Sequence, residues 1–348
     1  MDIYNLILAG GFKNKSSFLA SEDKMNKEFE SYVDGTLNKV DREMVEGITA
    51  IRDYAFYEYD NLTEITIPST VNSIGSYAFY GCPKLERVII DAGITSMGND
   101  AFSLCSNLVY INIPSSVTSI SERTFLGCSS LTNISMPSTI TAFGDSVFKD
   151  CSALVNVSLS GGVNTIPQQT FSGCSSLTSI RLSDVVTSIG YAAFENCTSL
   201  NEINLPSTIA SIGESAFKNC SSLTSLSVPS RATNIGAGAF QGCSSLTDIV
   251  LPPYITIVNA SIFKGCSSLT EMTVPAEVTS IGNSTFEGCS SLTSLTVLAP
   301  NPPTLGTDAL KGTPNNLEIY VISSAAADAY KVADGWSDYE NQITVVGG

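Results

Sequence analysis

One period governs this chain of 348 residues. The ten cysteines are Cys82, Cys105, Cys128, Cys151, Cys174, Cys197, Cys220, Cys243, Cys266 and Cys289, and every gap is 23 residues. Phenylalanine keeps the same step from Phe56 and Phe79 through to Phe286, and leucine keeps it from Leu62 and Leu85 to Leu292. A unit this short cannot bury an apolar side alone, but stacked copies can. A fixed period in this range therefore predicts a solenoid with one continuous core. Length by itself would suggest two or three globular domains, and the repeat overrides that prior.

The stretch LTSLSVPSRATNIGAGAFQGCSS, residues 223–245, shows how one coil is built. Leu223, Leu226 and Val228 follow L-x-x-L-x-L, the mark of a short strand with one face inward, and such strands stack parallel at about 4.8 Å. Pro229 ends the strand, since proline cannot donate to a ladder. Pro68, Pro114, Pro137, Pro206, Pro252 and Pro275 stand at the same place. Asp91, Ser160 and Ser183 replace it, which predicts a different turn in those coils. A second short extended piece follows, then a glycine such as Gly75, Gly98, Gly213 or Gly236, then AGAFQGC, read as a helical turn that returns the chain.

Phe240, Cys243 and Leu246 are three apart on this return leg. Cysteine is a small hydrophobe with a weak S–H donor, and at a coil corner it fills a gap and can bond a loose carbonyl. The ten thiols are read as one buried structural ladder. Disulfides between neighbouring coils are the weaker reading: the spacing is permitted, but side chains in a stacked ladder run parallel. Zinc would need thiolates from four coils, with no histidine and no C-x-x-C pair anywhere. A nucleophile would need an adjacent base. In the first coil Tyr59 stands where cysteine is expected, a swap that packing tolerates and chemistry does not. No catalytic residue, metal ligand or cofactor is assigned.

Composition sets the class of partner. The chain is 43% hydrophobic but only 14% charged, with a net charge of −16. That argues against nucleic-acid backbones and anionic membrane surfaces. No stretch approaches the roughly 18–20 apolar residues of a membrane span. The short apolar run Ile3–Ala9 lacks the basic residues that precede a signal-peptide core.

If strand leucines and isoleucines face in, the alternating residues face out. This places Arg87, Ile89, Tyr110, Asn112, Asn133, Asn156, Arg181, Glu202, Asp248 and Glu271 on an outward strand face. Arg87, Ile89, Tyr110 and Asn112 form a mixed patch, and Arg and Tyr are favoured interface anchors. Glu202, Asp248 and Glu271 form an acidic zone with Arg181 beside it. Calcium takes oxygen ligands, but these carboxylates stand as much as two coils apart, so such a site would be open.

The phrase IPSSVTSI (113–120), the recurring AFxGCSSLT and the L-x-x-I-x-I-P strand resemble the BspA-type leucine-rich repeats, 23-residue repeats of bacterial and some protist surface proteins. The resemblance covers residues 48–297. It implies an α/β-type repeat solenoid, mostly β. This is a right-handed coil with a parallel sheet on one face, short second strands and helical turns on the other, and small helical caps. It implies adhesion or protein binding without enzyme activity, and it brings no fixed binding residues. Residues 1–47 are then a tail and N-terminal cap, with a helix near Phe18–Val33 and Ser21 as N-cap. Residues 298–348 are a transition and a C-terminal cap. In the coil 292–314 the Phe–Cys pair is lost, and 316–343 resembles the family's closing segment, with Tyr330 and Trp336 over the open end of the core.

Function is expected to be recognition of a host or cell-surface protein or glycan through the strand face, by a monomer outside the cell or at its surface. An alternative comes from a loose resemblance of the N-terminal layout to prophage-encoded repeat proteins of gut bacteria. It makes residues 1–15 a docking peptide on a virion or secreted particle. A second alternative is a structural spacer.

Overall fold

Alternation of apolar and polar residues at period two gives each long strand one inward and one outward face. In Glu64–Ile67, Ile65 and Ile67 are buried while Glu64 and Thr66 are partly exposed. The computed structural model describes residues 38–40, 48–159 and 162–347, in two compact units that divide after Leu177.

The first unit is a parallel-strand solenoid. Lys39–Val40, Glu64–Ile67, Arg87–Ile90 and Tyr110–Ile111 pair in parallel, with Glu64 opposite Arg87 and Arg87 opposite Tyr110. Asn133–Ser135 pairs with Asn156–Ser158 in the same sense. A second set of two-residue strands, Ala50–Ile51, Ser73–Ile74 and Ser96–Met97, forms its own parallel sheet. Of the expected N-terminal cap only 38–40 are described, and they already form a strand of the main sheet. The helix near Ser21 and the segment 1–15 lie outside the described residues.

The second unit repeats the plan. Ser179–Arg181 pairs with Glu202–Asn204, and Ser225–Ser227 with Asp248–Val250. Glu271–Val274, Ser294–Val297, Glu318–Val321 and Ile343–Val345 form a four-stranded parallel run. Its register step lengthens by one residue where Ser294 faces Glu318. The ladder thus continues past 297 to the C-terminal strand.

The return legs, expected as helical turns, are runs of overlapping turns. In residues 52–59 the N–H groups of Ala55, Tyr57 and Tyr59 donate to Arg52, Tyr54 and Phe56 oxygens three residues back. Between them, the N–H groups of Tyr54, Phe56 and Glu58 donate one coil onward, to Ser76, Ala78 and Tyr80. Two of these turns require positive φ at their third residue, met here by Tyr54 (62°) and Glu58 (51°). Ser215 and Asn219 do the same in the second unit, at 55° and 60°. Where glycine precedes a return leg, it answers a close approach. A Cβ on Gly236 would lie 2.2 Å from the Glu214 nitrogen of the coil before.

The strand-ending turn is less dependent on proline than the sequence suggests. Val117 N–H donates to Pro114 O at 3.1 Å, and Val186 N–H donates to Ser183 O at 3.0 Å, so serine keeps the turn. Asp91 does change it: its N–H, which proline lacks, extends the ladder to Ile67 O at 2.9 Å, and Gly93 at φ 141° turns the chain. Ser160 lies outside the described residues.

The core is a set of stacked columns. In the first unit Phe56, Phe79, Phe102, Phe125, Phe148 and Phe171 stack in succession, with centroids 5.1–5.9 Å apart and rings within 8° of parallel. In the second, Phe194 to Phe286 stack in succession at 5.2–5.9 Å with rings within 13° of parallel. All ten cysteines are fully buried. In the first unit Cys82, Cys105, Cys128, Cys151 and Cys174 donate S–H to the oxygens of Phe56, Phe79, Phe102, Phe125 and Phe148 at 3.0–3.2 Å. Cys220, Cys243, Cys266 and Cys289 repeat this with Phe194, Phe217, Phe240 and Phe263 at 3.2 Å.

At the C-terminus the helix Ser324–Val332 is capped by Ser323, whose hydroxyl accepts from Ala326 N–H. Tyr330 and Trp336 are fully buried, with centroids 5.0 Å apart and rings 67° to each other. Tyr330 donates its hydroxyl to Ala299 O at 2.9 Å and Trp336 Nε1–H donates to Pro303 O at 2.8 Å. Both indole and phenol are thus apolar lids with a satisfied polar handle.

Candidate binding surface

Among the described residues, shallow troughs lie on the outward strand face of each unit. The first, about 570 Å³, is lined by Val109, Tyr110, Asn112, Asn133, Asn156 and neighbours. Arg87 lies over the Tyr110 ring, its guanidinium carbon 4.3 Å from the centroid, so the cation and the ring form one anchor. Tyr110 keeps 42% of its surface exposed. Ile89 sits half-buried opposite Thr66. Asn156 donates its amide to Asn133 Oδ1 at 3.3 Å, and Asn133 donates to Thr132 Oγ1.

Asn112 has a different job from its neighbours. Its Nδ2 donates to Ile90 O at 2.6 Å, and its Oδ1 accepts from Ile90 N–H at 2.8 Å. The side chain thereby continues the ladder where strand Tyr110–Ile111 stops. It shapes the trough with its amide committed to the backbone.

In the second unit Arg181, Asp184, Glu202 and Asn204 line a trough of about 490 Å³. Arg181 faces Asn204 across the strands, and Asn204 donates to Glu202 Oε1 at 3.3 Å. Asp248 and Glu271 share a further trough of about 540 Å³ with Val250, Thr273, Thr296 and Leu298. Here the carboxylates border an aliphatic floor, Val250 being 58% exposed. The outward residues therefore gather in separate troughs. Among the described residues no group of three or more carboxylates or thiols is placed to hold a metal ion.

The thiols carry no sign of chemical use. Burial pushes the pKa of Cys128, Cys243 and Cys289 up to about 12. Burial, reinforced by neighbouring thiols, also raises Cys105, Cys220 and Cys266. Reactive cysteines need the opposite shift.

One group of surface side chains falls outside the strand face. Tyr54, Tyr57, Tyr77 and Tyr80 form a two-by-two array on the return legs. Its signal in the sequence is a pair of tyrosines repeated one period on.

These features define a leucine-rich-repeat solenoid whose core is built from Leu, Phe and Cys columns. The model of the BspA type leucine rich repeat region matches residues 49–178, 164–293 and 210–327. The chain belongs to that family. It is similar to a leucine rich cell surface protein from Faecalibacterium prausnitzii A2-165, at 29% identity over 83% of this chain and 87% of that one, with a TM-score of 0.54. It is also similar to a leucine-rich repeat protein from Bacteroides ovatus ATCC 8483, at 28% identity over 86% and 87%, with a TM-score of 0.61. A leucine-rich repeat protein from Eubacterium ventriosum ATCC 27560 shares the fold at 20% identity, covering 88% and 91%, with a TM-score of 0.54. No functionally curated protein matches the chain. Among the described residues no helix is long and apolar enough to cross a membrane.

Proposed function

We propose that this protein is a non-enzymatic recognition module that binds a protein or glycan through its outward strand face at a bacterial cell surface. The observation that carries the reading is the Arg87–Tyr110 anchor, exposed at the edge of a trough whose wall is an asparagine ladder. Aromatic and arginine side chains supply interface energy, and the amides supply adaptable hydrogen bonds. The similarity to a protein described as a cell surface protein supports the location. The family supports binding over catalysis.

The test is capture from arrays of cell-surface proteins and glycans by the full chain and by an Arg87→Ala/Tyr110→Ala variant. Partners captured by the parent should be lost or weakened roughly tenfold or more in the variant. Equal capture by both would move the interface off this trough. No capture by either would favour the spacer reading.

A further inference from the structure

We propose that the second unit carries its own docking trough, for an extended peptide segment of a partner protein that pairs a lysine or arginine with an aliphatic side chain. The inference rests on the reading of the strand face as a recognition surface, and adds a site whose chemistry differs from that of the Arg87–Tyr110 anchor. The trough, about 540 Å³, is lined by Asp248, Val250, Glu271, Thr273, Thr296 and Leu298 with their neighbours. Strands Asp248–Val250, Glu271–Val274 and Ser294–Val297 supply most of these side chains, one coil after another.

The apolar side of the trough departs from the rest of its row. Outward residues at this strand position run Arg181, Asn204, Ser227, Val250, Thr273 and Thr296. Val250 is the aliphatic member, and 58% of it meets solvent. Leu298 borders the same trough and is 37% exposed. Pro253, Pro275 and Ala276 extend this apolar lining. Apolar surface gathered beside polar groups is stabilised when a partner removes it from water.

Charge chooses the occupant. On the outward strand face of this unit Glu202 accepts from Asn204, and Glu318 accepts from the Tyr320 hydroxyl. Among the described residues Asp248 and Glu271 have no such partner in hydrogen bond or ion pair. They stand one period apart on the same trough, and like charges on neighbouring strands repel. No cationic side chain lines the trough. The one cation in residues 246–298, Lys264, is committed to Glu287 at 2.8 Å. An incoming ammonium or guanidinium relieves the repulsion, and an aliphatic side chain next to it covers Val250 and Leu298. No aromatic face lines the trough for a sugar ring to stack on, which favours a peptide over a glycan. Two carboxylates also fall short of the six to eight oxygens that calcium takes.

The experiment uses the full chain and four variants: Asp248→Asn/Glu271→Gln, Val250→Ser, Glu58→Gln/Asp60→Asn and Arg87→Ala/Tyr110→Ala. The probe is a fluorescent hexapeptide of alternating arginine and leucine, at physiological ionic strength. One counterpart replaces arginine by citrulline and another replaces leucine by glycine. The Glu58/Asp60 variant removes the same charge from the first unit, which controls for general attraction of an acidic chain for a cation. Expected is binding of the arginine–leucine peptide by the parent, roughly tenfold weaker in Asp248→Asn/Glu271→Gln and roughly threefold weaker in Val250→Ser. The other two variants should bind as the parent does, and both counterpart peptides should bind weakly throughout. The Asp248/Glu271 variant should melt no lower than the parent. Absence of binding, equal binding by the parent and either trough variant, or equal binding of either counterpart peptide would overturn the proposal. So would an equal loss in either first-unit variant, or a lowered melting temperature in the Asp248/Glu271 variant. Array capture by the Arg87/Tyr110 variant is read separately, so failure of this trough is distinguishable from failure of the strand-face reading.

Discussion

Cys243 donates its thiol proton to the main-chain oxygen of Phe217, 26 residues earlier, at 3.2 Å. That oxygen already accepts the amide of Cys220 at 3.1 Å. One carbonyl therefore serves its own coil and the next, using both lone pairs. The same arrangement runs along each unit, so the thiol is a coil-to-coil fastener as well as a filler.

Alkaline pH should expose this role. The thiols are neutral when folded, with pKa values raised to about 12 at Cys128, Cys243 and Cys289. Unfolded cysteine titrates near 8.5. Below that value both states hold the proton and stability is flat. Above it the unfolded state alone loses the proton, and each such thiol removes about 1.4 kcal/mol per pH unit. Urea midpoints should hold steady up to about pH 8 and fall steeply beyond. A flat profile to pH 11 would contradict a buried ladder.

Phe217 tests the aromatic column. It stacks between Phe194 and Phe240 at 5.2 and 5.7 Å. Leu310 takes the equivalent place in the last coil and is buried there. Phe217→Leu should cost about 1–1.5 kcal/mol and Phe217→Ala about 3–5 kcal/mol, read from denaturant unfolding. Equal costs would mean that the site collapses around either side chain.

Asn112 and Tyr110 are two residues apart and should behave oppositely. Asn112→Ala removes both bonds to Ile90 and should destabilise by about 1–3 kcal/mol. Tyr110→Ala should change stability by less than about 1 kcal/mol, because 42% of the residue is exposed and it fills no core position. Thermal melts of the two variants decide this, and a reversed order would assign the structural role to Tyr110.

The C-terminal lid makes a local prediction. Trp336→Phe keeps an aromatic but smaller ring and leaves Pro303 O without its donor, the lost bond alone costing about 1–3 kcal/mol. Hydrogen exchange should speed first in strands Glu318–Val321 and Ile343–Val345. Uniform acceleration across the chain would show that the lid is not a separate cooperative unit.

The sequence made the columns legible because identity repeats with position: Phe, Cys and Leu recur at fixed steps and each has one inward place to go. Outward strand residues were legible from alternation, but their roles were not. Asn112 reads as surface until its reach to Ile90 is known, and that reach depends on where strand Tyr110–Ile111 stops. The return leg misled differently. Its left-handed positions hold glycine in some coils and Glu58, Leu104 or Asn219 in others, so no residue type announces the turn. The tyrosine array hid for the same reason, since Tyr54 occupies a conformation its propensity argues against. Beyond residue 297 the period stretches by one residue and Phe gives way to Leu310, so the sequence shows the coil 292–314 losing its Phe–Cys pair but not that the ladder keeps its register through it.

The fastening described for Cys243 has a bearing on ancestry. Within each unit, a coil that carries the Phe–Cys pair offers its successor the same acceptor and makes the same demand on its predecessor. A duplication or loss of one whole 23-residue unit that carries the Phe–Cys pair restores the thiol–carbonyl bond across the new junction. An insertion of any other size must be absorbed by a turn, as at 294–318. The number of coils is thus a quantity that gene-level slippage can change without repair elsewhere. The parts tied to a fixed address are the lid built on Tyr330 and Trp336 and the side chains that differ from coil to coil.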